Sequence, residues 1–163
     1  MRAAIHALRF ALALALAGCS GGAAAWPPAP AEIRYGEDAC SSCRMVVSDV
    51  RHAAEVVDRE GRVRLYDDLG CLLDDRKAAR PEPEGVLVRP FAGEAWVRGD
   101  SGWVLRSKDV QSPMGSGLAA FPTRDAAEAE ARRHPGASVT PLADLIGGPP
   151  TAGPDPSKPV GSR

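Results

Sequence analysis

The residues best suited to chemistry in this sequence are Cys40-Ser41-Ser42-Cys43-Arg44-Met45, two thiols and a thioether in one short stretch. Sulfur is scarce elsewhere: the chain has four cysteines and three methionines, one of them the initiator. Thiolate and thioether are soft donors and together suit Cu(I) better than any hard cation. The same spacing fits half of a zinc knuckle with Met45 as filler, or a small disulfide loop. A second loop, Ser112-Pro113-Met114-Gly115-Ser116-Gly117, holds the only other internal methionine. Its neighbours are too small and polar for a core position, so Met114 is a further candidate ligand; the plain alternative is a surface methionine closing a turn.

Cys71 follows Tyr66-Asp67-Asp68-Leu69-Gly70. At about 100° per residue it falls some 200° round a helix from Leu69, which predicts a thiol pointing away from the Leu69, Leu72 and Leu73 stripe. In the first helical turn the backbone dipole would favour its thiolate. His52 offers a nitrogen just after the sulfur loop, although a satisfied surface histidine is the more ordinary reading. Cys40, Cys43, Cys71 and His52 would together make a closed structural zinc set. Cys40 and Cys43 could also form a thiol–disulfide redox pair, but such a motif normally opens a helix, and Arg44-Met45-Val46-Val47 reads as strand. No nucleophile–base–acid constellation is evident, so a binding protein is expected rather than an enzyme.

Positioning these groups falls to an α+β chain of two small ββαβ-type units. Residues 52–58 and 62–66 read as strands joined by a glycine turn, the second alternating polar and apolar. Asp67 or Asp68 caps the helix that follows. Further strands are expected at 86–89, 95–98, 103–106, 118–121 and 137–139. A second helix, capped by Thr123, runs to His134, and residues 141–146 form one short turn. Strands, helix, strand occurs twice, which suggests related halves at 33–92 and 93–146 within an ordered region of 33–146.

The flanks carry no core. Residues 1–18 read as a bacterial export signal: Arg2 and Arg9 precede a short apolar run, and Leu16-Ala17-Gly18-Cys19 resembles a lipobox, making Cys19 the lipidated residue. Residues 19–32 read as a flexible tether and 147–163 as a disordered tail. After Cys19 is acylated three cysteines remain, an odd number, and an unpaired thiol in an exported protein suggests a reactive or ligand role. The address is the periplasmic side of a membrane, with Ser20 favouring the outer one. At 163 residues and net charge −1 there is no basic field to attract nucleic acid.

In order, the lipobox cysteine, C-S-S-C-R-M, Y-D-D-L-G-C-L, W-V-R-G-D-S-G-W and S-P-M-G-S-G-L-A-A-F resemble the NosL family, copper-binding periplasmic lipoproteins that help mature nitrous oxide reductase. The resemblance spans roughly residues 33–146. It implies two small ββαβ units, similar to part of the organomercury lyase family. It implies Cu(I) as cargo, with Cys43 and Met45 as its best ligands, Cys40 beside them, and Met114 and Cys71 as further candidates. It also implies a copper-receiving protein or membrane assembly complex as partner. One position departs from the pattern: the family often has Gly where this chain has Arg44, and arginine costs backbone freedom there.

Overall fold

The computed structural model describes residues 29–78 and 85–147. The expected export signal, Cys19, most of the expected tether, residues 79–84 and the expected tail at 148–163 lie outside them. Ten elements follow in order: β1 (Ala54–Val57), β2 (Val63–Tyr66), α1 (Leu69–Ala78), β3 (Gly85–Val88), β4 (Val97–Arg98), β5 (Trp103–Arg106), β6 (Leu118–Phe121), α2 (Arg124–Ala131), β7 (Ser138–Pro141) and α3 (Leu142–Ile146). The two expected ββαβ units are present, as two antiparallel sheets ordered β2-β1-β3-β4 and β6-β5-β7. In each, the first strand of the unit lies centrally, its hairpin partner on one side and the strand after the helix on the other.

Alternation along the strands explains how the sheets stack. Ala54, Val56, Tyr66, Val86 and Val88 of the first sheet meet Val104, Leu118 and Ala120 of the second in one shared core, with Leu69, Leu72 and Leu73 of α1 and Leu142 of α3. Each large apolar side chain so removed from water contributes roughly 1.5–3 kcal/mol. The opposite face of the second sheet (Leu105, Ala119, Phe121) takes Ala127 of α2, whose N-cap is Thr123, accepting from the Ala126 N–H at 3.2 Å. The opposite face of the first sheet takes the N-terminal segment, where Ile33, Val47 and Ala53 cluster.

Several expectations need correction. The second helix ends at Ala131 with Arg132 as its C-cap, short of His134, and the last short turn is helical. Residues 45–47 form no strand, only one isolated bridge between Ala39 and Val46. At the turn 99–102 the chain changes sheets, since β4 pairs with β3 and β5 with β6. Glycine makes that crossing feasible, since a Cβ on Gly99 would sit 2.7 Å from Val86 Cβ and one on Gly102 2.6 Å from Val97 Cγ1.

A carboxylate sits inside the first sheet. Glu55, on the central strand, is fully buried. It accepts from the Ala31 N–H at 3.1 Å, fastening the N-terminal segment where it enters the domain. Burial pushes its carboxyl up to about 6, against an ordinary 4.5, with the Ala31 N–H pulling the other way. A carboxyl whose folded value is raised binds its proton more tightly in the native state, so its contribution improves as pH falls from about 6 to 4.5. Glu55→Gln should therefore stabilise the protein at pH 7.5 by roughly 2 kcal/mol and have little effect below pH 4.5. Urea unfolding at both pH values checks this; equal effects at the two would contradict it.

Candidate metal centre

Three cysteines meet under the shared core. The Sγ atoms of Cys40, Cys43 and Cys71 all lie within 4.8 Å of one another, and no His, Asp or Glu donor among the described residues joins them. All three are free thiols. Cys40 is 0 % and Cys71 7 % exposed, while Cys43 is half-buried.

Their meeting follows from local structure. The sulfur loop closes on itself, the Cys40 N–H donating to the Met45 carbonyl at 2.7 Å and the Arg44 N–H to the Cys40 carbonyl at 3.1 Å. That closure needs a left-handed residue, and Arg44 takes it at φ +67°, alone among the described non-glycine residues. A side chain in that region costs about 1–2 kcal/mol. Arg44→Gly should thus raise stability by roughly 0.5–1 kcal/mol after the looser unfolded chain is counted, with metal affinity retained. A urea midpoint that falls instead would show that the arginine side chain carries a stabilising contact.

Cys71 corrects the helical-wheel expectation. Its thiol does not point away from the core: it is buried with Leu69, Leu72 and Leu73 against Cys40. The first turns of α1 are enclosed on more than one side, so the half-wheel opposite the leucines is interior too. Nor does the helix dipole win. Burial, then the charge of the Cys40 sulfur, then hydrogen bonding with Cys43 and Cys40 push the Cys71 thiol far up. Cys40 moves the other way. Burial would raise it, but the backbone N–H groups of Asp67, Cys43 and Ser42 aimed at its sulfur bring it below its ordinary value. Within the trio, the surroundings favour ionisation of Cys40 and oppose that of Cys71.

The methionines stand outside this nest. Met45 is 59 % and Met114 46 % exposed, large apolar side chains left in water at the ends of two ordered loops. His52 is not brought to the thiols. It is buried with its ring edge-on to Phe91 at 5.8 Å, and its Nε2 has no hydrogen-bond partner.

Sequence reasoning read Asp67 and Asp68 only as strand end and cap. Asp68 does cap α1, accepting from the Gly70 N–H at 2.6 Å. Both also fasten the sulfur-bearing loops. Asp67 Oδ1 accepts from the Ser48 N–H at 2.7 Å and from Ser48 Oγ at 3.1 Å, at the exit of the first loop. Asp68 Oδ2 accepts from Ser112 Oγ at 2.6 Å and from the Met114 N–H at 3.1 Å, in the second. The sequence signal was present as hydroxyls in both loops with few acceptors nearby.

The fold built on these two sheets is similar to that of a solved structure. The chain is similar to the copper chaperone NosL from Shewanella denitrificans, with a TM-score of 0.53 and 17 % identity over 70 % of this chain and 93 % of that one. The fold is NosL-like. The sequence matches no protein-family model and no curated protein. Within this NosL-like fold the three thiols form a nest suited to a soft metal ion. No helix of the described residues is long and apolar enough to cross a membrane.

Proposed function

We propose that this protein is a Cu(I) carrier, holding the ion on Cys40, Cys43 and Cys71 with Met45 and Met114 at the mouth of the site. The single observation that carries this is the set of three free thiols within 4.8 Å of one another. The fold it shares with a copper chaperone supports it. Thiolates bind Cu(I) firmly and shed water, while exposed thioethers are weaker donors. An acceptor's own ligands can therefore replace the thioethers first and draw the ion out stepwise. Because both thioethers are exposed, an acceptor can reach the positions they fill. The function is binding and transfer rather than catalysis.

The client is a copper-receiving protein or membrane assembly complex, with nitrous oxide reductase maturation the favoured destination. Cys19 carries the lipid that holds the domain on the periplasmic side, at the outer membrane. A closed zinc site would need His52 as fourth ligand, and that imidazole packs against Phe91 instead.

Anaerobic titration of the reduced protein against a chromogenic Cu(I) chelator tests the reading. One tightly held Cu(I) per chain is expected. Failure to compete for any copper would overturn it. Unfolding on zinc chelation would point to a structural zinc module, and sustained insulin reduction to a redox enzyme.

A further inference from the structure

The Asp67-Asp68 doublet sits at the junction of β2 and α1, with Asp68 immediately before Leu69 and three residues before Cys71. Consecutive side chains here turn toward different loops. Asp67, 3 % exposed, reaches Ser48, and its own backbone N–H is aimed at the Cys40 sulfur. Asp68, fully buried, reaches across to the second sheet and takes up the loop between β5 and β6. The two partners it finds there, Ser112 and Met114, are 44 and 46 positions away in the chain.

The Asp68 carboxylate is saturated by its surroundings. One oxygen takes the Gly70 N–H, the other takes Ser112 Oγ and the Met114 N–H. Burial would raise its carboxyl, but donation from Ser112, Ser116, Gly70 and Met114 outweighs that and holds it below the usual range. Contact is also close in the steric sense. A Cβ on Gly70 would sit 2.6 Å from Ser116 Cβ, so the loop lies directly on the first turn of α1. The backbone of Met114 is thus pinned to Asp68, three residues before Cys71 in the chain, although its side chain is exposed.

We propose that Asp68 is a positioning residue for the metal site: its buried carboxylate fixes the Met114 backbone against the start of α1 and so sets where the thioether stands relative to the three thiols. Asp67 does the corresponding task for the cysteine loop through Ser48. This assignment rests on the Cu(I) reading given above. It extends it by naming groups that touch no metal and yet govern one particular donor. Asn at 68 keeps the shape but offers one acceptor oxygen and an NH2 group to three donors, so either the cap on Gly70 or the two loop contacts must be given up. Loss of such outer partners typically costs 10–100-fold in metal affinity.

The test is a double-mutant cycle on Cu(I) affinity with Asp68→Asn and Met114→Leu, measured anaerobically on the full domain. Asp68→Asn should weaken binding about 10-fold or more in the parent chain and by less than about 2-fold in the Met114→Leu background. Asp67→Asn should still weaken binding in that background, because it acts through the cysteine loop. Should Asp68→Asn not fold, Ser112→Ala removes only the hydroxyl contact and is expected to show the same non-additivity at smaller size. Equal losses from Asp68→Asn with and without Met114, or no loss at all, would overturn the assignment. Parent protein that holds no Cu(I) would instead overturn the carrier function itself, so the two failures are distinguishable.

Discussion

Replacing Cys40 with serine should lower Cu(I) affinity by about a hundredfold or more, close to 2.8 kcal/mol. Cys40 is the sulfur that the protein prepares for a cation. It is wholly buried, and the N–H groups of Asp67, Cys43 and Ser42 favour its thiolate. Serine preserves the size and can accept from the same N–H groups, so the loop should keep its course, but a hydroxyl is a hard donor that stays protonated. Met45→Leu provides the contrast. That thioether is more than half exposed, and its loss should cost about tenfold or less, roughly 1.4 kcal/mol. Competition against a Cu(I) chelator ranks the two variants. Equal losses, or a larger one at Met45, would mean that the metal sits at the exposed mouth and not in the thiol nest.

Gly117→Ala should destabilise the protein by roughly 3 kcal/mol or more, summing left-handed strain and a backbone collision. Gly117 sits at φ +69°, and a Cβ there would run into the Ser107 carbonyl oxygen. Neither group can retreat, because the Ser107 N–H donates to the Gly117 carbonyl at 2.9 Å. Gly115 is the internal control. It has φ +68° but open space around it, so alanine there should cost only about 1 kcal/mol from the backbone conformation alone. Urea unfolding of the pair separates strain from collision. Equal losses would show that the β5–β6 loop shifts freely and does not hold Met114 in a fixed place.

Much of the architecture could be read from local pattern. The β2 strand, the Asp68 cap, the leucine spacing in α1 and the Thr123 cap each depend on neighbours within one or two turns, and each appears where expected, although burial along β2 deepens toward Tyr66 and does not alternate. The repeated strand–strand–helix–strand order was legible for the same reason. What failed to show was set by distant packing. The helical wheel placed Cys71 by assuming one buried face, but α1 enters the core at its N-terminal end, and the second sheet closes over the other side. Turn chemistry at 99–102 does not reveal which sheet each flanking strand will join, and here the two join different ones. Of the candidate ligands, the three cysteines converge, whereas His52, chosen for nearness in sequence, lies against Phe91. The two aspartates escaped notice as loop anchors because their partners are 19 to 46 residues away.

The common interior shared by the two sheets ties the thiol nest to parts of the chain that contribute no sulfur. Cys40 and Cys71 belong to that interior together with Val104, Leu118 and Ala120 from the later half. All three thiols come from the first half, yet the second sheet supplies part of the wall they pack against, so a polar substitution at Leu118 would reach the nest without touching a cysteine.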